Sequence, residues 1–319
     1  MSKYTAAIIG LGQVGQGYDY SSSNFDLLLT HATALQLHND FEVIGGVDTS
    51  QKQQSKFRDK FSISTFVSVQ DLYLEYNPDI IVIAVPTDYH VDVFLEVIKH
   101  SPKAIVLEKP VANDYINAKK LLKIATKKKC PISVNYLRRF NPALKSLKDI
   151  IARKELGNIY KGTAWYTKGI INNGSHFIDL FIWLLGEVTS IEVLNINRRW
   201  NNVDPEPDLY IRFGDTDMYM FSGHEESFYM GKFELIGDEG AAFYEDGKSI
   251  DIHLSQNNQV YDGYKELVEN RQIENSIEKD IFFGYDNLSE HLDNGKDLPS
   301  NIKTATNTMS IIHQILEKL

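Results

Sequence analysis

The sequence predicts an α/β chain: a doubly wound parallel sheet, then an α+β domain with a mostly antiparallel, open sheet. Three observations predict it. Up to about residue 134, short apolar runs alternate with helical patterns. One of those runs, Asp79 to Val85, is unbroken and β-branched, the pattern of a strand covered on both faces. Beyond residue 135 the pattern changes to strand-like stretches separated by turn residues. The expected domains are therefore 1–134 and 135–319, with a last helix at about 302–319 able to pack back on the first domain.

In chain order, residues 5–10 are an apolar strand entering a glycine-rich turn, 31–37 the end of a helix, and 41–48 a second strand ending in Asp48. Helices are expected over 51–60, 68–77, 88–100 and 113–129, the last with Asn113 as N-cap. Strands are expected at Val67, 79–85, 103–107 and 132–134. In the second half, 142–154 and 172–185 read as helices, and 188–199, 208–213, 216–223 and 230–236 as strands. Asp204-Pro205-Glu206-Pro207-Asp208 and Gly237-Asp238-Glu239-Gly240 read as turns or loops.

Composition bounds the function. A length of 319 residues suits two domains, and 43% hydrophobic with 24% charged residues is ordinary for a globular protein. No apolar run approaches the roughly 18 residues of a membrane span. The start, Met1-Ser2-Lys3-Tyr4, lacks a signal-peptide pattern. The single cysteine, Cys130, permits neither an intramolecular disulfide nor a cysteine metal cluster, and a cytoplasmic location is the simplest expectation. The net charge of −10 disfavours nucleic-acid and anionic-membrane partners but leaves an anionic small substrate open. Lys127-Lys128-Lys129 reads as a solvated helix end. His31, His38, His100, His224, His253, His291 and His313 show no metal-ligand spacing, so no metal is expected.

Gly10-Leu11-Gly12-Gln13-Val14-Gly15 follows the first strand, the context in which such a turn binds a dinucleotide. Gly10 permits the tight turn, Gly12 lets backbone approach a pyrophosphate, and Gly15 permits close packing. Gln13 and Val14 lie in the same turn. Asp48 would accept hydrogen bonds from ribose hydroxyls and repel the extra phosphate of NADP, which favours NAD; it also reads as a plain turn residue. Asp48 lies 33 positions after Gly15, against about 20 in the usual spacing. The excess falls in an inserted loop, Tyr18 to Thr30.

Two further motifs follow strands: Pro86-Thr87-Asp88-Tyr89-His90 and Glu108-Lys109-Pro110. Carboxyl ends of strands line the ligand crevice of an open parallel sheet, so both should face the cofactor. On position alone Lys109 is a surface lysine in a turn; at a strand end it can also donate to a substrate oxygen.

Together with Arg138-Arg139-Phe140 and Gly174-Ser175-His176-Phe177-Ile178-Asp179, these motifs stand in the order of the glucose-fructose oxidoreductase / inositol dehydrogenase / MocA family, which the chain resembles over nearly its whole length. The resemblance implies an N-terminal Rossmann domain and a C-terminal domain whose open sheet forms a homodimer or homotetramer. It implies an NAD-dependent dehydrogenase moving a hydride between nicotinamide and a hydroxyl-bearing carbon. Lys109 would bind and polarise the reacting oxygen, His176 would be the general acid/base, and the peptide before Pro110 would be cis. Gly10, Gly12, Gln13, Val14, Gly15 and Asp48 become candidate cofactor residues, with Pro86, Thr87, His90 and Glu108.

Where many family members carry an aspartate four residues before the histidine, this chain has Asn172, which orients a substrate but takes no proton. That variant is similar to members acting on nucleotide-linked sugars. Asn172, Arg139, Tyr136 and Asp179 are the candidate substrate-binding residues; Arg138 and Tyr166 are further ones. The alternatives are a cyclitol or free-sugar dehydrogenase, a non-catalytic NAD-binding sensor or partner protein, and, last, a reductase of an imine or biliverdin-like system.

Overall fold

The computed structural model describes residues 4–22 and 27–319. Residues 23–26 of the Tyr18–Thr30 insertion, and Met1 to Lys3, lie outside the described residues. The chain divides into two compact units, Met1–Phe140 with Glu278–Met309, and Asn141–Ile277 with Ser310–Leu319.

The first unit begins with β1 (Tyr4–Ile9), α1 (His31–Leu37), β2 (Phe41–Val47), α2 (Gln51–Phe61), β3 (Thr65–Phe66) and α3 (Val69–Glu75). It continues with β4 (Ile80–Ile83), α4 (His90–Val97), β5 (Ala104–Leu107), α5 (Tyr115–Lys128) and β6 (Ile132–Val134). All the strand pairs are parallel, in the order β3-β2-β1-β4-β5-β6, so the chain reverses its direction across the sheet between β1 and β4. Alternate residues of each strand feed two cores. Ile9, Ile81, Ile83, Ile105 and Leu107 pack with Phe94 of α4 and Leu121 of α5. Ile8, Ile80, Val82 and Val106 pack with Leu35 of α1 and Phe57 of α2 on the other face. Burial on both faces is why these strands read as unbroken apolar runs.

Several local expectations need correction. The short strand is Thr65–Phe66, and Val67 is exposed. The N-cap of α5 is Asp114, whose extended backbone lets Oδ1 accept the Asn117 N–H at 2.7 Å. Asn113 instead donates to Asp88 at 2.8 Å. The glycine turn is followed by one π-type turn, Gln13–Gly17, and α1 starts only at His31. The base of the intervening loop closes on Asp19, which accepts the N–H groups of Leu29 and Thr30 and the hydroxyls of Thr30 and Thr33 at 2.8–3.1 Å.

The second unit contains α6 (Pro142–Ala152), β7 (Ile159–Tyr166), a π-type turn (Gly169–Gly174) and α7 (Ser175–Leu185). Then come β8 (Val188–Trp200), β9 (Asp204–Phe213), β10 (Thr216–Ser222), β11 (Gly231–Gly237), β12 (Gly240–Glu245), β13 (Ile250–Asn257) and β14 (Lys265–Ile273). These eight strands form one sheet, β14-β13-β12-β11-β7-β10-β9-β8, in which β7–β10 is the parallel pair. Leu147 of α6 and Phe177 and Phe181 of α7 bury one face against Ala164, Ile211, Met218 and Phe233. The other face carries paired rings, Trp165 with Phe221 at 5.3 Å and Tyr210 with Tyr219 at 5.4 Å.

Asp204 to Asp208, expected as a loop, is the start of β9 and pairs with β8 alone. Proline lacks the ladder N–H, and a stretch with one neighbour tolerates Pro205 and Pro207. The expected helix at 172–185 begins at Ser175, after the π-type turn.

The chain closes with α8 (Asp280–Asn294) and α9 (Ile302–Leu316). Ile281, Tyr285 and Leu288 of α8 enter the first unit's core. Ile302, Ala305 and Met309 of α9 belong to the first unit, and Ile311, Ile312 and Ile315 to the core of the second. Residues 135–140 and 278–309 are compact with the first unit.

Candidate functional site

In the first unit, β1 leads straight into the glycine turn, and each glycine has a different reason. Gly10 has φ +98°, and a Cβ there would lie 2.5 Å from the Ala84 carbonyl oxygen. A Cβ on Gly15 would lie 2.1 Å from the Gly10 carbonyl oxygen. A Cβ on Gly12 would meet nothing within 4 Å, and its φ of −77° suits any residue. Internal packing thus explains Gly10 and Gly15, while Gly12 keeps clear a space outside the protein backbone. That fits a pyrophosphate laid against the turn.

The turn opens on a cavity of about 640 Å³ at the carboxyl ends of β1, β2 and β4, beside the reversal point. Gly10, Gly12, Asp48 and Pro86 line it. Tyr89 of the Pro86–His90 motif also lines it, with Ser50, Gln53 and Val69; the sequence reading missed these last three, and the available signal was their position about one turn past a strand end. Asp48 accepts the Leu11 N–H at 2.9 Å through Oδ2 and the Ser50 N–H at 2.7 Å through Oδ1, which fixes its carboxylate at the rim. Gln13, Val14, Gly15, Thr87, His90 and Glu108 stand off this wall.

His90 is buried and bridges two strand-end loops. Its Nδ1 is 2.9 Å from the Pro110 carbonyl and its Nε2 2.9 Å from the Val85 carbonyl. Burial holds its imidazole below the ordinary value against the pull of those carbonyls and of Glu108. The Lys109–Pro110 peptide is cis. Glu108 points inward, with Oε1 accepting from His31 Nε2 at 3.0 Å and from Asn135 Nδ2. Arg139 is also turned inward, donating through Nη1 to the Pro299 carbonyl at 3.2 Å, and Tyr136 lies in the apolar core.

In the second unit, the Gly169–Gly174 turn carries Asn172 and delivers His176 as the second residue of α7. The turn is gripped by acids of β9. Asp204 accepts the N–H groups of Ile171 at 3.0 Å and Asn172 at 2.8 Å, and Glu206 accepts that of Gly169 at 3.2 Å. A Cβ on Gly169 would lie 2.1 Å from the Asp204 carboxyl, so this glycine, at φ +79°, is required. Glu206 is fully buried and paired with Arg198 at 2.5 Å. Burial raises the Asp204 carboxyl above its ordinary value, and those backbone donors only partly offset it. Tyr166 donates to the Pro207 carbonyl at 2.6 Å, and burial with the neighbouring acids keeps it a phenol. His176 and Asp179 are both buried on α7. Sequence reading missed Asp204, Glu206 and Arg198, because the turn and the strand that grips it lie more than 30 residues apart.

Among the described residues, no group of three or more His, Cys, Asp or Glu is placed to hold a metal, and no helix is long and apolar enough to cross a membrane.

Residues 5–136 match the model described as "Oxidoreductase family, NAD-binding Rossmann fold", and residues 167–318 match "Oxidoreductase family, C-terminal alpha/beta domain". The rhizopine catabolism protein MocA of Rhizobium meliloti is 25% identical over 201 residues, 59% of each chain. Across the curated relatives it matches, the chain spans about half of their length (43–59%). Among solved structures, UDP-N-acetylglucosamine 3-dehydrogenase of Acidithiobacillus ferrooxidans superposes with TM-score 0.78 at 13% identity, covering 100% of this chain and 98% of that one. The WlbA dehydrogenase of Bordetella pertussis, solved with NADH and UDP-GlcNAcA, gives 0.76 at 18% identity over 99% and 95%. At such identities the superpositions speak for the fold. The two domain models together cover most of the chain, which therefore belongs to the Gfo/Idh/MocA oxidoreductase family, with an NAD-binding Rossmann domain followed by the family's C-terminal α/β domain.

Proposed function

We propose that the chain is an NAD-dependent dehydrogenase acting on a hydroxyl-bearing carbon of a sugar, with a nucleotide-linked sugar as the substrate class. The observation that carries it is the cavity under the glycine turn, open at Gly12 and rimmed by the fixed carboxylate of Asp48. Asp48 is the charged residue on its wall among the described residues, which favours ribose hydroxyls over a 2′-phosphate. Bound there, the nicotinamide supplies a hydride acceptor or donor. Lys109 donates to the reacting oxygen and stabilises the charge that develops on it, while His176 takes or returns the hydroxyl proton. Asn172 orients the substrate, and with an amide in that position proton transfer falls to His176. The substrate class is supported by the two UDP-sugar dehydrogenases of matching fold. The ringed open face of the second unit's sheet supports a homo-oligomer, testable by light scattering in solution.

The test is absorbance at the NADH band with NAD and a panel of UDP-linked sugars, free sugars and cyclitols. A signal with UDP-sugars, lost by at least about 100-fold in Lys109→Met with NADH binding retained, is the expected result. Signal only with cyclitols or free sugars replaces the substrate class. Full turnover in Lys109→Met removes the role of that lysine.

A further inference from the structure

The second unit carries a cavity for which the residues of proton transfer have no use. It holds about 180 Å³ where β11 begins and β12 ends, and Phe228, Tyr229, Lys232 and Asp246 line it. The sheet register puts this corner beside the candidate turn. Gly231 of β11 is paired with Tyr166, the last residue of β7, and the Gly169–Gly174 turn follows shortly after. The loop at 223–230, which supplies both rings, is stitched to that turn. The Thr167 hydroxyl accepts the Met230 N–H at 3.3 Å, and Lys168 pairs with Glu225 at 3.2 Å. Arg198, the partner of the Glu206 that accepts the Gly169 N–H, also pairs with Glu226 at 2.7 Å.

We propose that this corner is a nucleoside-diphosphate subsite of the substrate site: Phe228 stacks on the base, Asp246 accepts an N–H from the base's edge, and Lys232 meets the phosphates. The inference rests on the nucleotide-linked sugar proposed above and assigns the part of it remote from the reacting carbon.

Each of the three residues offers something that packing does not require. Phe228 is 64% exposed, an apolar ring left in water at a cavity. Every base has a π-face, so such a ring gives affinity without choosing among bases. Asp246 supplies the choice. Its carboxylate accepts from the Tyr229 and Tyr244 hydroxyls, one on each oxygen. Two phenol donors fix its direction, and a carboxylate has the capacity to accept a further N–H. Gly231 provides the clearance: a Cβ there would lie 2.1 Å from Asp246 Oδ2 and 2.5 Å from the Tyr229 hydroxyl oxygen. A uracil ring has a single N–H on its edge, at N3, and that is the donor for Asp246.

Lys232 has no ion-pair partner among the described residues. Its neighbour across the ladder, Glu245, pairs instead with Lys248 at 2.8 Å. In a chain of net charge −10, an uncommitted ammonium beside a cavity is a place for an anion. The diphosphate supplies that anion, and the uncharged base is the part that meets the Asp246 carboxylate.

The experiment uses the full chain saturated with NADH, which closes the dinucleotide cavity to the probe. Isothermal titration calorimetry with UDP should show binding. Phe228→Ala should weaken it about tenfold or more, and Phe228→Tyr, which keeps a ring, should stay close to wild type. Asp246→Asn should weaken UDP about fivefold. The same variant should bind 3-methyl-UDP, which lacks the N3–H, as wild type does. Lys232→Ala should weaken UDP and leave uridine unchanged. Phe228 and Lys232 are exposed, so their variants keep the fold; near-ultraviolet dichroism checks Asp246→Asn. Where that variant does not fold, UDP against 3-methyl-UDP on wild type decides, and equal affinities overturn the role of Asp246. No UDP binding, unchanged binding in every variant, or equal falls in Phe228→Ala and Phe228→Tyr overturns the subsite. Turnover of UDP-sugars with KM unchanged in Phe228→Ala and Lys232→Ala overturns the subsite and leaves the proposed function standing. UDP binding that follows the variants as expected, with no UDP-sugar turned over, keeps the subsite and removes the proposed reaction.

Discussion

Each unit carries its candidate site on a single π-type turn, and the two turns are held in opposite ways. The Gln13–Gly17 turn follows a glycine run shaped by what is missing: side chains at Gly10 and Gly15 would strike backbone, and one at Gly12 would stand in open space. The Gly169–Gly174 turn is shaped by what is added: carboxylates of Asp204 and Glu206 take three of its N–H groups from a strand formed much later in the chain. The first arrangement leaves backbone free to meet a ligand. The second immobilises the peptide that positions Asn172 and His176. On the roles proposed above, the cofactor would meet bare backbone, and the side chains that meet the substrate would be held by other side chains.

The comparison can be broken most forcefully at Arg198. Glu206 is fully buried and Arg198 is its ion-pair partner, so Arg198→Met should cost about 3 kcal/mol or more in urea unfolding of the full chain. A loss below about 1 kcal/mol would mean that the acids of β9 grip the turn without it. Next come the glycines. Gly15→Ala should destabilise by roughly 1–3 kcal/mol, since the clash is with backbone that cannot step aside. Gly12→Ala should melt like wild type and yet lose NADH fluorescence binding. If both variants behave alike, the distinction between a packing glycine and a ligand glycine is wrong.

The smallest effect, on the order of 1 kcal/mol, concerns pH. The Glu108 carboxyl is depressed, so its contribution is present above the ordinary 4.5 and is lost as pH falls through the lower folded value. The Asp204 carboxyl is raised, so its contribution is present below the ordinary 3.8 and is lost as pH rises through the higher folded value. The deficit of Glu108→Gln against wild type should therefore shrink from pH 7 to pH 4, while that of Asp204→Asn should grow. Urea midpoints at the two pH values check this, and deficits moving in the same direction would refute the opposite electrostatics of the two sites.

Much of the first unit was legible because its signals are local. A strand covered on both faces has to be apolar along its whole length, and a turn that meets a pyrophosphate has to dispense with side chains, so Ile80–Ile83 and Gly10–Gly15 announce themselves within a few residues. Local cues of equal weight were less decisive. Asn113 and Asp114 are both good caps, and backbone geometry chose Asp114. Pro205 and Pro207 signal a loop, yet they sit in β9, because the stretch has only one strand neighbour. Helix α8 was not foreseen, and neither was its return to the first unit's core, which no nearby residue demands. Glu108 and His90 were placed near the cofactor from their strand-end positions; the structure turns one toward His31 and Asn135 and uses the other to bridge Val85 and Pro110.

By itself the amino-acid sequence determined the class of fold, the order of the parallel strands' apolar runs and the nucleotide turn, whereas the roles proposed for Lys109 and His176 came from the family resemblance. The first three depend on chemistry within a short stretch of chain. Only the tertiary structure decided which carboxylates serve which turn, that His31 and Tyr285 stand behind Glu108, and that α9 divides its apolar face between two cores. Those pairings join residues from about 30 to more than 250 positions apart. A buried charge must find a partner wherever the folded backbone brings one, and sequence spacing does not encode that distance.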